Sequence, residues 1–187
     1  MSVIKIEPLK KEDFAEIIAF CDRWIGVGYF NEEELEKVFE ASFFEDEVVS
    51  FVARSEQEIA AIRLTFAPGT WDKLITTGLS PNRWSMEFQE VAYFKSLFVA
   101  DTFQAQGLGR QLSEKSMQVL RRKGAKGILC HSWLESPHNS SVRYLEKFGF
   151  KEVCRHQEYW KEVDYLCIRC APGRCLCTAV EMLKELE

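Results

Sequence analysis

The segment from Leu97 to Arg110 constrains the fold of this chain more than any other part of its sequence. An apolar run that is typical of a strand, Leu-Phe-Val-Ala, leads through a polar turn to Gly-Leu-Gly, where a helical pattern begins. Glycine has no Cβ, so a bulky anion can approach the backbone closely at this point. The first amides of a helix lack internal partners and lie at the positive end of the helix dipole. The segment therefore predicts a strand, a tight turn and a helix whose N-terminus can bind a pyrophosphate.

The two glycines have a second interpretation that the residues alone leave open. A strand-to-helix turn that needs glycine only for close packing accounts for Gly-x-Gly about equally well. The segment is not a Walker P-loop, which requires Gly-Lys-Ser/Thr, and it lacks the third glycine of a dinucleotide fingerprint. Arg110 would add a positive charge to an anion site if its side chain faces the phosphates.

The remaining pattern predicts a mixed α/β fold with one sheet packed by helices. Predicted strands cover residues 2–7, 48–54, 58–66, 90–100, 128–133, 150–160 and 163–170. Predicted helices cover residues 11–23, a second helix capped by Asn31, the helix from the glycine turn to about residue 123, one that begins at Ser136-Pro137, and a short last helix. The last helix is predicted from Thr178-Ala179-Val180-Glu181, which matches a capping box.

Residues 67–86 form a long irregular stretch that contains two tryptophans, Trp71 and Trp84. A connection of this length in a compact domain is often functional, for example as a loop that covers a substrate. A surface excursion pinned by its tryptophans is an equally good interpretation.

Two motifs give the chain a resemblance to the GNAT superfamily of N-acetyltransferases. Gln104-Ala105-Gln106-Gly107-Leu108-Gly109 resembles that family's Gln/Arg-x-x-Gly-x-Gly/Ala loop, and it follows a matching strand. Residues 139–150, Asn-Ser-Ser-Val-Arg-Tyr-Leu-Glu-Lys-Phe-Gly-Phe, are similar to the family's helix that ends in Glu-Lys-x-Gly-Phe. The similarity in element order extends from about Ile4 to Cys170.

The resemblance implies a more specific architecture than the element order does. The expected fold is α/β (α+β), with a mixed, mostly antiparallel twisted sheet, a central V-shaped splay, flanking helices and a short Cys-rich C-terminal extension. Residues 1–170 are expected to form the acetyltransferase domain. Residues 171–187 are expected to add a Cys-rich turn and a C-terminal helix packed on the same domain.

The resemblance also implies acetyl-CoA as co-substrate and direct acetyl transfer to a primary amine. Pantetheine is expected along the main chain of the strand before the loop, and the pyrophosphate on the amides of the loop. Asn139, or His138 by a stricter count, is expected to bond the pantetheine arm. The implied cofactor-binding residues are Leu97, Phe98, Val99, Gln104, Ala105, Gln106, Gly107, Leu108, Gly109, Arg110 and Asn139.

Direct transfer needs an acceptor for the amine proton and a donor for the departing sulfur. Many family members carry the donor as a tyrosine five residues before the phenylalanine of Gly-Phe, but here that position is Leu145. Tyr144 precedes it and lies about 100° round the helix. Tyr144 is therefore either the donor, after a local shift, or a packing residue. Without a donor, thiolate departure would depend on the helix end or a water.

The candidates for the base lie on the two strands that are expected to splay. His131 and Glu135 belong to or follow one strand, and Tyr93 and Glu90 belong to the other. A histidine with a pKa near neutrality is a sound base, although a single strand histidine often has a structural role. Glu135 could equally be a solvated surface carboxylate, and a water relay could replace all four residues.

Four of the seven cysteines lie within one short C-terminal stretch, Cys167-x2-Cys170-x4-Cys175-x-Cys177. Four thiolates suit tetrahedral zinc, and Cys-x2-Cys is a common half-site. The alternatives are a strand cysteine followed by unpaired surface thiols, or a redox or iron–sulfur role. Cys21, Cys130 and Cys154 lie in apolar patterns and are predicted to be core residues.

Composition excludes several other functions. The net charge of −5 argues against a dedicated nucleic-acid-binding protein. No apolar run approaches the roughly 20 residues of a membrane span, and no secretory signal is visible, so a cytoplasmic protein is expected. A homodimer is compatible with the sequence. The resemblance implies a small-molecule or peptide amine as acceptor, and its mouth is expected to contain Trp24, Tyr29, Phe30, Trp71 and Trp84.

Two other functions compete with the acyltransferase hypothesis. The first is a non-catalytic acyl-CoA sensor with the same fold, which the leucine at the usual tyrosine position favours. The second is an interaction protein organised by zinc.

Overall fold

A computed structural model of the chain describes residues 3–163, 167, 170 and 172–187. The described residues form nine β-strands and four α-helices, joined by turns and short 3₁₀ segments. The strands are β1 (Lys5–Pro8), β2 (Phe43–Phe44), β3 (Glu47–Val48), β4 (Phe51–Arg54), β5 (Ile59–Phe66), β6 (Val91–Val99), β7 (Gly127–Trp133), β8 (Lys151–His156) and β9 (Ala179–Glu185). The helices are α1 (Phe14–Trp24), α2 (Glu32–Ala41), α3 (Leu108–Arg122) and α4 (Ser140–Lys147).

Seven strands form one sheet in the order β1-β4-β5-β6-β7-β9-β8, and β2 and β3 form a separate small hairpin. Within the large sheet only β6 and β7 pair in parallel, and the other five pairs are antiparallel. The expected mixed, mostly antiparallel sheet flanked by helices is confirmed. No helix among the described residues has the length and apolar character that a bilayer span requires.

Local sequence explains why the central elements form where they do. Every residue of β5 is buried, as a strand covered on both faces requires. Asn31 caps α2 as predicted, because its side chain accepts from the Glu34 amide at 2.9 Å and the Glu34 carboxylate accepts from the Asn31 amide at 2.9 Å. Helices α1 and α2 lie on one face of the sheet, and α3 and α4 lie on the other.

Strands β6 and β7 part in the middle of the sheet, as the expected V-shaped splay requires. Their parallel pairing runs from Val91 opposite Gly127 to Phe94 opposite Cys130 and then stops. Beyond that point β6 stays paired with β5, and β7 stays paired with β9. A β-bulge at Lys95 shifts the register of β6 against β5, and bulges increase the local strand twist. The two strands are therefore held by different neighbours and diverge.

The predicted C-terminal helix is wrong, because Ala179–Glu185 is strand β9 and lies between β7 and β8. In a capping box Glu181 would reach back to the helix start in water, whereas here its carboxylate is fully buried. It accepts hydrogen bonds from the Ser80 amide, the Trp84 indole and His156. The pattern of a short apolar run such as this one fits a helix or a buried strand equally well. The hydrogen bonds that Glu181 accepts in the interior favour the strand.

The other predicted element boundaries differ less from the observed ones. The predicted strand at 150–160 is the shorter β8, and the hairpin of β2 and β3 was not predicted. Most of the predicted strand at 163–170 lies outside the described residues. The proposed boundary at residue 170 stays a prediction, although β9 places the C-terminal residues in the same sheet as the rest.

We expect the Val180→Pro variant to distinguish the observed strand β9 from the helix that the sequence predicted for the same residues. In the first turn of a helix proline is tolerated, since the amide there has no partner to lose. In β9, Val180 lies opposite Ser132 on one side and Arg155 on the other, so proline removes a ladder hydrogen bond from a central strand. Urea denaturation should show a loss of at least about 2 kcal/mol in the free energy of unfolding. Val180→Ile is the control, and a proline variant as stable as this control would contradict the strand.

Candidate active site

The loop between β6 and α3 has the backbone geometry of an anion site. Ala105 and Gly107 are left-handed, with φ of 60° and 76°. The Gln111 amide bonds to the Gly107 carbonyl at 3.0 Å and closes the first turn of α3. The amides just before it stand at the exposed, positive end of a helix of 15 residues. A left-handed alanine is uncommon, and such strain is concentrated at functional sites.

The glutamine side chains of this loop form hydrogen bonds within the loop and to its flanking residues. Gln104 donates to the Asp101 carboxylate at 2.8 Å and to the Val99 carbonyl at 3.4 Å. Gln106 donates to the Thr102 carbonyl at 3.5 Å. Arg110 forms an ion pair with Glu114 at 2.7 Å on the exposed side of α3. The guanidinium of Arg110 is thus engaged on its own helix.

The two glycines are required for different reasons. Gly107 has a left-handed backbone but open space around it, since a Cβ there would meet nothing closer than Gln111 Nε2 at 3.8 Å. Gly109 has ordinary helical geometry, but a Cβ there would lie 3.3 Å from Leu97 Cδ2 and 3.6 Å from Val99 Cγ2. Gly107 therefore provides the turn, and Gly109 lets α3 lie close against β6. The packing interpretation of Gly-x-Gly applies to Gly109, and anion binding at Gly107 stays a prediction.

The start of α4 stands on the other side of the parted strands. His138 and Asn139 are consecutive left-handed residues, with φ of 55° and 52°, and both are exposed. The Ser136 hydroxyl accepts from the Ser141 amide at 3.0 Å, and the Ser132 and Ser141 hydroxyls bond at 2.8 Å. These bonds fix the start of α4 against the end of β7. In the described part of the chain, three of the five non-glycine residues with positive φ lie at or next to the two motifs.

Tyr144 links α4 to α3. Its hydroxyl lies 2.8 Å from the Gly109 carbonyl oxygen and 2.8 Å from Ser113 Oγ. A phenol has one proton, and the carbonyl can only accept, so that proton is used on Gly109. Leu145, at the position of the family's tyrosine, is a buried core residue. The role of Tyr144 as an acid stays a prediction, and its contacts favour a role in positioning the two helices.

Arg63 lies next to this link as a buried cation that the sequence analysis missed. It is 2% exposed, donates to Ser113 Oγ at 2.8 and 3.2 Å, and lies 4.1 Å from the centre of the Phe94 ring. Burial lowers its pKa. Among the described residues it forms no ion pair with a carboxylate. The available signal was a single charge inside the apolar run Ile-Ala-Ala-Ile-Arg-Leu-Thr-Phe.

On the opposite face, Tyr93 and His131 form a hydrogen-bonded pair at the parting of the strands. The Tyr93 hydroxyl lies 2.8 Å from His131 Nδ1, and His131 Nε2 lies 2.6 Å from the Gly78 carbonyl oxygen. Because a carbonyl accepts only, Nε2 carries the proton and Nδ1 is the acceptor for Tyr93. Tyr93 is one residue before the last parallel pair, and His131 is one residue after it.

Burial keeps both groups of this pair uncharged. It lowers the pKa of His131 to about 4, against the opposing effects of the Gly78 carbonyl and the Glu181 carboxylate. The neighbouring His156 and Lys95 lower it further. Burial raises the pKa of Tyr93 well above its usual range. His131 is therefore a neutral proton acceptor throughout the physiological pH range.

Two segments cover His131. The Tyr159 ring stacks on it at 4.5 Å between centroids, with its hydroxyl 3.3 Å from Nδ1. Gly78 of the long segment 67–86 presents its carbonyl from the other side, and any Cβ at Gly78 would collide with the Tyr159 ring. Tyr159 was not identified from the sequence, because nothing local shows that it returns to the sheet centre.

The tryptophans of segment 67–86 anchor it. Trp71 donates to the Val91 carbonyl at 2.8 Å, and Trp84 donates to the buried Glu181 at 2.7 Å. The segment is thus both pinned and placed over a candidate catalytic residue. Phe30, Trp71 and Trp84 are buried in the core, so the expectation that they line the acceptor mouth is wrong. Trp24 and Tyr29 are half-buried.

The other predicted bases lie elsewhere. Both carboxylate oxygens of the exposed Glu135 accept from the Thr178 amide, at 2.9 and 3.0 Å. Glu90 precedes β6, at the end opposite the splay, and accepts from the Glu87 amide at 3.1 Å. Neither carboxylate is hydrogen-bonded to the Tyr93–His131 pair in the described structure.

The C-terminal cysteines converge. The sulfurs of Cys170, Cys175 and Cys177 lie within 4.8 Å of one another, and Cys167 interacts with Cys170. Cys21 and Cys130 are buried as predicted. Cys154 is only half-buried, so its assignment to the core is wrong.

Comparisons with known proteins agree on one family and one fold. The model of the acetyltransferase (GNAT) family matches residues 12–150. A sequence search of curated proteins finds no match. Similar solved structures include the ribosomal-protein-S18-alanine N-acetyltransferase of Escherichia coli, with 17% identity, a TM-score of 0.67 and coverage of 99% of this chain and 95% of that one. An N-acetyltransferase of Staphylococcus aureus has 17% identity, a TM-score of 0.68 and full coverage of both chains. Arabidopsis thaliana Naa50 with a CoA-containing bisubstrate analogue has 11% identity, a TM-score of 0.65 and coverage of 98% and 99%.

We expect Gly107→Asp to weaken the binding of coenzyme A by at least about tenfold, because it sets a carboxylate beside the amides on which the diphosphate is expected. Gly124→Asp is a matched control. Gly124 has a similar φ of 87° and open surroundings, but it lies just beyond the opposite end of α3. Isothermal titration calorimetry measures both. Equal affinities in the two variants would contradict an anion site at Gly107.

We expect His131 to make the stability of the protein depend on pH between about 6.5 and about 4. Since its folded pKa lies below its ordinary value, the unfolded chain binds the proton more tightly in this window. The stabilisation is complete above pH 6.5 and is lost as the pH falls towards 4. Urea denaturation at several pH values should show a flatter profile for His131→Gln, whereas exposed His138→Gln should keep the parent slope. An unchanged slope in His131→Gln would contradict a buried neutral imidazole.

Proposed function

Since this chain belongs to the acetyltransferase (GNAT) family, we propose that it transfers the acetyl group of acetyl-CoA directly to a primary amine of a small molecule or a peptide. The observation that carries this proposal is the Tyr93–His131 pair, which lies within one residue of the point where β6 and β7 part. The proposed cofactor cleft and the proposed proton acceptor would thus meet at one place in the sheet.

The cofactor enters this proposal through the main chain. Beyond Phe94 the edge of β6 that faces β7 has no strand partner among the described residues, which would leave its amides and carbonyls for pantetheine, along Leu97, Phe98 and Val99. The amides from Gln104 to Arg110 would hold the pyrophosphate at the start of α3. Asn139, exposed at the start of α4, would bond the pantetheine arm from the other side. The thioester would then lie near the apex of the V.

Tyr93 and His131 would receive the amine proton. An amine that attacks a thioester becomes a strongly acidic ammonium in the tetrahedral adduct, so a weak base suffices. Tyr93 would take this proton, directly or through a water, while it passes its own phenolic proton to His131 Nδ1. The Gly78 carbonyl holds the imidazole in the tautomer that leaves Nδ1 free to accept.

The departing thiolate would be stabilised by the α3 terminus and by Arg63. The guanidinium lies under Phe94, the last residue of β6 that pairs with β7, and a buried cation acts more strongly than an exposed one. Ser113 joins it to Tyr144 through hydrogen bonds. In this account Tyr144 positions α4 against α3, and the thiolate takes its proton from water.

The acceptor would enter from the face that carries α1, α2 and segment 67–86. The bulge at Lys95 keeps both Lys95 and Ser96 on this face, where each lies close to Tyr29. The half-buried Lys95 and Tyr29, rather than the buried tryptophans, would line the amine site. The substrate class remains a primary amine.

Release of free thiol from acetyl-CoA, measured with a panel of small amines and N-terminal peptides, tests the proposal. We expect amine-dependent turnover, with kcat reduced about 10²- to 10⁴-fold in Tyr93→Phe and His131→Gln, because each removes one member of the proton relay. Binding of acetyl-CoA should remain within about threefold of the parent. Tight CoA binding without turnover on any amine would instead favour the acyl-CoA sensor, which the leucine at position 145 makes the second candidate.

Tyr144→Phe distinguishes a positioning role from an acid. We expect a higher KM for acetyl-CoA and a kcat within about tenfold of the parent, because the lost hydroxyl only joins two helices. Steady-state kinetics beside Tyr93→Phe provide the comparison. A kcat loss of about 10²-fold or more with unchanged KM would make Tyr144 the proton donor to sulfur.

A further inference from the structure

Three thiols come together where β7 ends and β9 begins, and a fourth lies next to one of them. Cys170 Sγ lies 3.6 Å from Cys175 Sγ and 3.6 Å from Cys177 Sγ. Cys167 interacts with Cys170 as well. We define Cys167, Cys170, Cys175 and Cys177 as the thiol cluster. Its members come from two stretches of chain, one after β8 and one that leads into β9.

The spacing of the Cys170, Cys175 and Cys177 sulfurs fits three corners of a tetrahedron around one metal ion, with Cys167 next to Cys170 as the fourth candidate ligand. Zinc–thiolate bonds of about 2.3 Å in a tetrahedron place neighbouring sulfurs about 3.8 Å apart. A disulfide requires a separation of about 2.05 Å, which is far shorter than the separations found here. The residue spacing also includes Cys-x2-Cys, a common half of a structural zinc site.

The chain around the cluster is folded into turns of the kind that a metal knuckle uses. The Cys170 amide bonds to the Cys167 carbonyl at 3.2 Å, and the Gly173 amide bonds to the Cys170 carbonyl at 3.2 Å. On the other side, the Tyr159 amide bonds to the Cys177 carbonyl at 3.1 Å. The cluster is therefore framed by main-chain hydrogen bonds rather than lying on a free tail.

The Trp133 indole is a second observation that favours a metal at the thiol cluster. Its indole N–H is the only buried side-chain polar atom without a hydrogen bond in the described part of the chain. It lies beside Cys177. A thiol is a poor acceptor, whereas a metal-bound thiolate is a good one for an N–H in the second shell of ligands. Binding of a metal would thus give this indole its partner.

A second group of potential ligands, Cys154, His156 and Glu181, is already used. The Glu181 carboxylate accepts from His156 at 2.9 Å, from the Trp84 indole at 2.7 Å and from the Ser80 amide at 3.0 Å. Its oxygens hold segment 67–86 on β9. This group therefore has a structural explanation without a metal, and the thiol cluster does not.

We propose that the thiol cluster binds one Zn²⁺ ion through Cys167, Cys170, Cys175 and Cys177. All four positions of the tetrahedron are occupied by protein, so the site is structural and leaves no place for a catalytic water. Soft thiolate ligands select zinc over magnesium, calcium and manganese.

The site would fix the connection that covers the candidate base. Tyr159, which bonds to Cys177 through its amide, stacks its ring on His131. Glu135 adds to this frame, since its carboxylate holds the Thr178 amide next to Cys177. This consequence rests on the proposed function, because it assigns the metal to the acceptor side of an acetyltransferase.

Metal analysis of the purified full chain tests the site itself. Elemental analysis should find one zinc per chain in the parent, and cobalt substitution should give a thiolate-to-cobalt charge-transfer band. Cys170→Ser should lose the metal, and Cys154→Ser, which disrupts the second ligand group, should keep it. Four results would each overturn the proposal. They are a parent protein without metal, a parent that holds mononuclear iron or an iron–sulfur cluster, a disulfide among the four thiols, and loss of metal from Cys154→Ser alone.

Kinetics separate the consequence from the proposed function. Metal removal from the parent by chelation should raise the acceptor KM at least tenfold and leave the Kd for acetyl-CoA within twofold, and added zinc should restore the KM. An acceptor KM unchanged by metal removal would overturn the link to Tyr159 while the zinc result stands. Failure of the parent to acetylate any amine would overturn the proposed function alone.

Discussion

The end of pairing between β6 and β7 is the constraint on which the rest of the structure depends. A sheet that closed fully here would leave no main-chain groups for a cofactor and no apex for a reacting carbonyl. The strands part because each keeps a different neighbour, β5 for β6 and β9 for β7, and because the bulge at Lys95 adds twist to β6. The open edge is thus a consequence of strong pairing elsewhere, which makes it rigid rather than a frayed end.

The two faces of the sheet carry different groups around this opening. Helices α3 and α4 bring strained main chain to the face proposed for the cofactor, and Tyr144 joins the two helices with Arg63 buried beneath. The other face carries Tyr93 and His131 under Tyr159 and the segment 67–86. Burial keeps His131 neutral, so the packing that shields this residue also leaves its Nδ1 able to accept a proton. The thiol cluster lies where it can hold that packing in place.

Local geometry was predictable from the sequence, and long-range partnership was not. The turn at Gly107 and the cap at Asn31 depend on residues within one helical turn, so their pattern is sufficient. The strand β9 was mistaken for a helix because the partners that bury Glu181 lie far away in sequence, at Ser80 and Trp84. For the same reason the sequence offered four bases without a choice. Only the register of β6 against β7 brings Tyr93 to His131, and only a distant loop supplies the carbonyl that sets the tautomer.

A crystal structure with bound coenzyme A is the most direct measurement of the central claim. The account predicts pantetheine in strand-like contact with β6 beyond Phe94, the diphosphate on the amides before Gln111, and the sulfur within a few ångströms of the apex near Cys130. Coenzyme A bound elsewhere, or β6 and β7 paired along their full length in its presence, would contradict it.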